Sequence, residues 1–198
     1  MRGRPARRVG VFGGTFDPPH LGHLLLAEAA REHLRLSEVR FVPARVPPHK
    51  RGRDVSPVAA RLALLRAALR GTGFRLDTQE LSRVGPSYTV DTLEALHRRD
   101  PGASLHLIVG ADSLLDLMNW RAPERVLALA RLAVAGRPGF PVRRLAKGLA
   151  RRVDWLPVPP VGIASRELRA SVRAGRSIRF QVPPAVGALI ARLGLYRA

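Results

Sequence analysis

The sequence predicts an α/β fold: a single doubly wound domain in which helices cover both faces of a mostly parallel sheet. Short apolar segments alternate along the chain with segments whose apolar residues recur at helical spacing, which is the pattern of βαβ units. The segment 105–109, Leu-His-Leu-Ile-Val, is apolar enough for a strand buried on both faces. A chain of 198 residues with 46% hydrophobic residues can also build one sizeable core.

The first half of the chain contains two predicted strands and two predicted helices. The strand 7–12 leads through a Gly-rich turn into a helix over 21–35, where Leu and Ala recur at helical spacing. The second strand, 39–43, ends at its proline, and the Pro-rich segment 43–53 is predicted to be a long loop. Ser56-Pro57 predicts the start of a helix that continues to residue 69, with Ser56 as N-cap and Pro57 at the first helical position.

The second half continues the alternation. The strand 74–78 is followed by a Gly85-Pro86 turn and by a helix that Ser87 or Thr89 caps and that ends near residue 98. The remaining strands are predicted at 105–109, at 132–135 and following 151–155. The remaining helices are predicted at 112–118, at 123–130, from a Ser165 cap to 173, and at 184–193. Without repeats or a linker, the prediction is one Rossmann-like domain over 1–198, with residues 1–6 disordered.

The strongly basic composition makes a non-catalytic nucleic-acid-binding protein an alternative. The net charge is +19, with 34 basic and 15 acidic residues, and the pI is near 11.9. The basic residues are nearly all arginines, however, and they are spread along the chain, for example Arg61, Arg66 and Arg70 on one predicted helix. A dedicated nucleic-acid module would cluster them with aromatic residues for stacking. We therefore expect most of these arginines to lie on solvated helix faces.

Composition also excludes several classes of protein. The chain has no cysteine, so neither a disulfide framework nor thiolate chemistry is expected. It has no apolar segment long enough to cross a bilayer, and its first residues lack the apolar core of a signal peptide. These observations predict a cytoplasmic protein without a membrane partner. They leave the oligomeric state open, a homo-oligomer included.

The stretch that indicates a function is 9–23, Val-Gly-Val-Phe-Gly-Gly-Thr-Phe-Asp-Pro-Pro-His-Leu-Gly-His. Gly13 and Gly14 allow a sharp turn between a strand and a helix start, where backbone N–H groups and the helix dipole favour a phosphate. His20 and His23 lie three positions apart, so both rings can face one point and donate to a phosphoryl group. A zinc site is the alternative, but His49 is the only obvious third ligand.

Five later segments carry further candidates. His49 and Lys50 follow Pro47-Pro48 on the long loop, where Lys50 suits a triphosphate, although a solvated basic loop would look similar. Tyr88 and Thr89 lie at a helix start that can offer N–H donors to a carboxylate, or they are only cap and packing residues.

Gly110 and Asp112 follow a strand, where Asp112 can bind a ribose hydroxyl or an amine, or only cap the next helix. Trp120 can stack on a heteroaromatic ring or pack in the core. Ser165 and Arg169 together suit a phosphate.

These motifs together resemble the nucleotidyltransferase superfamily and, within it, the bacterial nicotinate-nucleotide adenylyltransferase family. The resemblance covers nearly the whole chain. It rests on the segments Gly-Gly-Thr-Phe-Asp-Pro-Pro-His-Leu-Gly-His, Pro-Pro-His-Lys, Gly-Pro-Ser-Tyr-Thr-Val-Asp-Thr-Leu, Gly-Ala-Asp with Asn-Trp, and the closing Leu-Gly-Leu-Tyr. The family usually carries Ile-Ser-Ser-Thr-x-Ile-Arg near its C-terminus, whereas this chain has Ala164, Arg166 and Leu168 in that motif. Ser165 and Arg169 are retained, but the hydroxyl of the usual Thr is missing.

The resemblance implies transfer of AMP from ATP to nicotinate mononucleotide, which gives the dinucleotide and pyrophosphate. The alternatives are a sister enzyme that acts on nicotinamide mononucleotide or phosphopantetheine, and the nucleic-acid-binding protein considered above. A Mg²⁺ ion that bridges the substrate phosphates is expected, with no metal held by protein side chains alone.

The resemblance also implies a role for each matching residue. Catalysis is expected from His20, His23, Lys50 and Arg169. ATP is expected to contact Gly13, Gly14, Thr15, Phe16, Gly110, Asp112 and Ser165. Nicotinate mononucleotide is expected to contact His49, Tyr88, Thr89 and Trp120.

Overall fold

The computed structural model describes residues 7–47, 55–135, 149–159 and 161–197, and it leaves the Asp112 side chain undescribed. Residues 1–6, which were predicted to be disordered, lie outside the described residues. So does the segment 48–54, which contains the candidates His49 and Lys50.

The described elements follow the predicted order. The strands are β1 (Arg8–Gly14), β2 (Glu38–Pro43), β3 (Arg75–Leu76), β4 (Ser104–Gly110), β5 (Ala130–Ala135) and β6 (Val153–Leu156). The helices are α1 (Leu21–His33), α2 (Val58–Leu69), α3 (Thr89–Arg99), α4 (Ala111–Asp116), α5 (Pro123–Leu129), α6 (Ser165–Arg173) and α7 (Pro184–Arg192).

The predicted doubly wound fold is confirmed. The six strands form one sheet in the order β3-β2-β1-β4-β5-β6, and every neighbouring pair is parallel. The chain leaves β1 towards β2 and β3 and then returns to place β4 on the other side of β1. This reversal creates a crevice beyond the carboxyl ends of β1 and β4, which is where open α/β sheets bind ligands.

Side chains alternate between the two faces of the sheet and build a separate core on each. On β4, Leu105, Leu107 and Val109 belong to the core shared with α3 and α5, whereas Ile108 belongs to the core beneath α1 and α2. Such two-sided burial explains why the central strands are continuously apolar in sequence. A third apolar cluster joins α2, α6 and α7 and holds the C-terminal part of the chain against the domain; it contains Leu64, Ala68, Leu168, Ile178, Val182, Val186 and Ile190.

The structure differs from the prediction mainly at the ends of elements. The strand β3 is two residues long because the Asp77 carboxylate accepts a hydrogen bond from the Gln79 N–H at 3.1 Å and turns the chain. The helix α2 begins after Pro57 without a Ser56 cap. The helix α3 follows Tyr88, so that neither Ser87 nor Thr89 is its N-cap. The helix α4 ends at Asp116, and a short 3-10 turn continues over Leu117–Asn119.

Candidate active site

A cavity of about 530 Å³ opens beyond the carboxyl ends of β1 and β4, and we call it the switch-point cavity. Its lining combines the β1 turn, the start of α1, the start of α3 and the segment that follows β4. The predicted site residues that line it are Gly13, Gly14, Thr15, His20, His23, Tyr88, Thr89, Gly110 and Trp120. Four distant parts of the chain thus meet in one place, as expected for residues that follow neighbouring parallel strands.

The two histidines of the predicted phosphate site lie against each other. Their ring centroids are 3.6 Å apart and the ring planes are inclined by 28°. The backbone N–H of His20, the residue before α1, donates to Nδ1 of His23 at 3.1 Å. An accepting Nδ1 carries no proton, so the proton of neutral His23 is on Nε2. The ring of His23 can therefore donate from Nε2.

His20 is the more buried member of the pair. Its side chain is 7% exposed, and its Nδ1 has no hydrogen-bond partner in the described part of the chain. Burial lowers the pKa of His20 from 6.5 to about 4, so the ring is neutral at pH 7. A Cβ placed at Gly22 would lie 3.1 Å from this Nδ1, so glycine in the His-Leu-Gly-His motif leaves room for the His20 ring.

The turn that precedes the histidines is stabilised by side chains from distant segments. The buried Asp17 carboxylate accepts hydrogen bonds from the Ser56 N–H at 3.0 Å and from the Tyr196 hydroxyl at 2.6 Å. The Arg169 guanidinium donates to the Asp17 carbonyl at 2.7 Å, and the Ser165 hydroxyl donates to the Pro18 carbonyl at 2.9 Å. Burial and the nearby Asp17 raise the pKa of Tyr196, so its hydroxyl keeps the proton that it donates. These contacts fix the backbone immediately before His20.

Phe16 anchors the same turn from inside. Its side chain is 2% exposed and packs edge-on against Phe12, with ring centroids 5.6 Å apart, and against His23 at 5.2 Å. A Cβ at Gly14 would lie only 2.9 Å from the Phe16 ring, which explains why the second glycine of the turn is required. Phe16 also has a φ of 50°, a left-handed conformation that its packing must stabilise.

Arg61 is buried, and the prediction that it lies on a solvated helix face is wrong. Its side chain is 2% exposed, and its guanidinium donates to the carbonyls of Ser56, Thr15, Ala44 and Arg45. Burial lowers the pKa of Arg61, while the nearby Asp17 opposes that change. Arg61 joins α2 to the loops after β1 and β2, since planar guanidinium donors can satisfy several carbonyls at once.

The start of α3 forms the second wall of the cavity. Tyr88 precedes the helix and Thr89 is its first residue, so backbone N–H groups of the first turn lack helical partners. The buried carboxylate of Glu80 also lines the cavity and accepts a hydrogen bond from the Thr92 hydroxyl at 2.5 Å. Burial raises the pKa of Glu80, and hydrogen bonds from Thr92 and Ser87 oppose that shift.

The segment after β4 forms the third wall. Gly110 is the residue before α4, and Asp112 lies inside that helix, which rules out the alternative that Asp112 caps it. Trp120 is half-buried against the core and also lines the cavity, and its stacking on a heteroaromatic ring stays a prediction. The following residue, Arg121, lines the cavity as well, and its guanidinium carbon lies 4.7 Å from the centroid of the Tyr88 ring.

Three of the predicted site residues whose side chains the structure describes do not line the cavity. Phe16 packs inside the turn. Ser165 and Arg169 donate hydrogen bonds to the backbone carbonyls of Pro18 and Asp17. Ser165 is also the first residue of α6 and not its N-cap, which is Ala164, and its hydroxyl donates to the Pro18 carbonyl. The side chains of these three residues therefore stabilise the turn that precedes His20.

The site also contains residues that the sequence did not single out for function. They are Arg61, Glu80, Arg121 and Tyr196. For Arg121 and Tyr196 the sequence carried a signal, since one follows Trp120 and the other closes the Leu-Gly-Leu-Tyr segment. Nothing in the helical pattern of 58–69 distinguishes Arg61 from the exposed Arg66.

Within the described residues, no group of three or more His, Cys, Asp or Glu side chains is placed to hold a metal ion. His49, the third zinc ligand that the sequence offered, lies outside the described residues. None of the described helices combines the length and the apolar character needed to cross a membrane.

Comparisons with known proteins agree with this geometry. Residues 11–171 match the family model described as cytidylyltransferase-like. A Thermomicrobium roseum protein named "Probable nicotinate-nucleotide adenylyltransferase" is 49% identical, over 96% of this chain and 92% of its own. A Thermus thermophilus protein of the same name is 44% identical, over 96% of this chain and 100% of its own.

Solved structures share the fold. The Plasmodium falciparum nicotinic acid mononucleotide adenylyltransferase complexed with NaAD has a TM-score of 0.81 at 17% identity, covering 96% of this chain and 97% of its own. At this level of identity the likeness concerns the fold alone.

Replacing Tyr196 with Phe should destabilise the protein by about 1–3 kcal/mol, because one oxygen of the buried Asp17 carboxylate then loses its donor. Urea unfolding at pH 7 measures this loss. Tyr88→Phe is the matched control, since the Tyr88 hydroxyl makes no hydrogen bond to a described residue. Equal stability of the two variants would contradict the structural role of Tyr196.

The buried His20 should make stability fall on acidification. Below pH 6.5 His20 is protonated in the unfolded chain, whereas in the folded protein it stays neutral until about pH 4. The free energy of unfolding therefore decreases as the pH falls from about 6.5 to about 4. The decrease attributable to His20 is up to about 3 kcal/mol.

Urea unfolding at pH 7 and at pH 4 should therefore give a smaller pH effect for His20→Asn than for the wild type. His97→Gln, at an exposed position of α3, is the control and should keep the wild-type dependence. The same dependence in all three proteins would mean that His20 titrates normally.

Proposed function

The chain belongs to the cytidylyltransferase-like family and, within it, to the nicotinate-nucleotide adenylyltransferases, and from this premise we propose that it transfers AMP from ATP to nicotinate mononucleotide. The products are nicotinate adenine dinucleotide and pyrophosphate. The observation that carries the proposal is the stacked His20–His23 pair, which lines a cavity at the switch point of a parallel sheet. Family and geometry therefore point to the same chemistry.

The reaction needs alignment and charge stabilisation without a covalent bond to the protein. A phosphate oxygen of nicotinate mononucleotide attacks the α-phosphorus of ATP in line. The bond from that phosphorus to the bridging oxygen breaks, and its electron pair leaves with pyrophosphate. Negative charge develops on the transferred group and on the leaving group, and the protein accelerates the reaction by placing donors where this charge grows.

We assign the principal donor to His23. Its Nδ1 accepts the His20 N–H, which leaves the proton on Nε2 for an oxygen of the α-phosphate. His20 is neutral at pH 7 because burial lowers its pKa to about 4, so it acts as a hydrogen-bonding group and not as a permanent cation. The stacked geometry keeps both imidazoles at one end of the triphosphate.

The remaining ATP contacts are proposals of the same kind. The backbone of Gly13, Gly14 and Thr15 lines the cavity beside the histidines and can approach the nucleotide closely. Gly110, with Asp112, suits the adenosine from the neighbouring strand end. Ser165 and Phe16 contribute to ATP binding by fixing the turn at residues 16–18, which leads into the histidine pair.

Two cations are proposed to neutralise the β- and γ-phosphates. Arg169 uses Nη1 on the Asp17 carbonyl, and the other donors of its guanidinium suit the leaving pyrophosphate. Lys50, on the Pro-rich loop, is assigned the same role, since an ammonium is a compact charge that suits a polyphosphate.

Nicotinate mononucleotide is assigned to the opposite wall. The start of α3 at Tyr88 and Thr89 supplies N–H donors for the nicotinate carboxylate, and Trp120 supplies a flat surface for the pyridine ring. His49 is proposed to approach the same nucleotide from the Pro-rich loop.

A Mg²⁺ ion that bridges the ATP phosphates, without being held by protein side chains alone, remains part of the proposal. Such an ion supplies charge neutralisation at the leaving pyrophosphate.

The function is tested by pyrophosphate release from ATP and Mg²⁺ with nicotinate mononucleotide, nicotinamide mononucleotide or phosphopantetheine as acceptor. We expect the fastest release with the acid mononucleotide, because the α3 N-terminus favours an anionic group. Release with phosphopantetheine alone would contradict the proposal. Tight and steeply salt-dependent duplex binding without any pyrophosphate release would instead identify a nucleic-acid-binding protein.

Replacing His23 with Ala should lower kcat at least about a hundredfold, the scale of deleting one donor aimed at developing charge. The fold should persist, since His23 is only half-buried, and urea unfolding checks this. His97→Ala, on an exposed position of α3, should keep the wild-type rate. A His23→Ala protein that turns over normally would remove His23 from the chemistry.

A further inference from the structure

Among the described residues, one arginine lines the cavity at the proposed nicotinate subsite. Arg121 directly follows Trp120, is exposed to solvent and lines the switch-point cavity. Its guanidinium carbon lies 4.7 Å from the centroid of the Tyr88 ring, within the range of a cation–π contact. Tyr88 immediately precedes α3, so this contact places a positive charge over the side chain of the residue at the start of the helix.

The charge of Arg121 is not neutralised by the protein groups that the structure describes. Arg121 makes no ion pair with a described carboxylate, unlike Arg83, Arg99 and Arg125, which all do. Among the described residues that line the cavity, Arg121 is the one guanidinium and Glu80 the one carboxylate.

Glu80 is already provided with partners of its own. Its Oε1 accepts from the Thr92 hydroxyl at 2.5 Å and lies 3.8 Å from Nη2 of Arg83. Its side chain is also buried, whereas that of Arg121 is exposed. Among the described charged side chains of the lining, Arg121 is therefore the one without an ion-pair partner.

Hydrogen-bond donors alone discriminate poorly between the acid and amide forms of the mononucleotide. A backbone N–H can donate to a carboxylate oxygen or to the carbonyl oxygen of a carboxamide. The two ligands differ by one negative charge, and a fixed cation responds to that difference directly. A guanidinium held at the α3 start therefore favours the acid over the amide.

We propose that the Arg121 side chain is a specificity-determining residue that selects nicotinate over nicotinamide mononucleotide by its positive charge. This inference rests on the proposed function, since it concerns the acceptor of the same reaction. The contact with the Tyr88 ring positions the charge, and the place of Arg121 in the cavity lining puts that charge within reach of the substrate.

The test compares kcat/KM for the two mononucleotides in wild-type protein, Arg121→Gln and Arg121→Lys. In Arg121→Gln the ratio of kcat/KM for the acid to kcat/KM for the amide should fall about tenfold or more, because kcat/KM for the acid decreases. The KM for ATP should stay constant. Arg121→Lys keeps the charge and should keep most of the ratio. Arg151→Gln, an exposed arginine in the short turn before β6, controls for the loss of one positive charge elsewhere.

Ionic strength provides a second readout. Between about 0.1 and 1 M salt the screening length falls from about 10 to 3 Å. The acid-to-amide ratio of the wild type should decrease over this range, whereas the ratio of Arg121→Gln should hardly change.

Each other outcome is informative. If Arg121→Gln loses both substrates equally, the arginine acts on the shared phosphate or on the fold, and the inference is overturned. An unchanged ratio, or an Arg121→Lys variant as unselective as Arg121→Gln, overturns it as well. If the wild type uses the acid normally in any of these cases, the proposed function stands. If the wild type uses neither mononucleotide, the function and the inference fail together.

Discussion

The Asp17 carboxylate is buried where the β1 turn meets the loop before α2 and the C-terminal segment, and the histidine pair depends on the hydrogen bonds it receives. Ser56 and Tyr196 satisfy its two oxygens, while Arg169 holds its carbonyl. A carboxylate so far from water is tolerable only when donors surround it. The backbone that leads into His20 is fixed as a result, and the two imidazoles are presented to the cavity in one arrangement.

The order and type of the elements could be predicted because the signals for them are local. Apolar strands, all of them except the two-residue β3 four to seven residues long, alternate with helical patterns, and the all-parallel sheet with its switch point follows from that alternation. The ends of elements were predicted less well, since they depend on competing hydrogen bonds. Ser165 was predicted to cap α6, whereas the helix already includes Ser165 and its hydroxyl donates to the Pro18 carbonyl, 147 positions away.

Site residues that belong to a sequence motif could be predicted. Residues whose role arises only from tertiary contacts could not. The pattern of glycines and histidines in 9–23 indicated the phosphate end, and the structure brings nine of the predicted residues together around one cavity. Arg61 has the spacing of a surface residue, yet its guanidinium satisfies four backbone carbonyls inside the protein. Only the three-dimensional arrangement identifies such a residue.

The contacts that hold the Asp17 turn come from partners 39, 147, 152 and 179 positions further along the chain. The turn therefore cannot reach its native shape through local interactions, and it becomes ordered only when the last third of the polypeptide has docked. Any partial opening that releases α6 or the segment after α7 also loosens the histidines, even while the central sheet stays intact. We therefore expect the native arrangement of the histidine pair to form late in folding and to be lost early in unfolding.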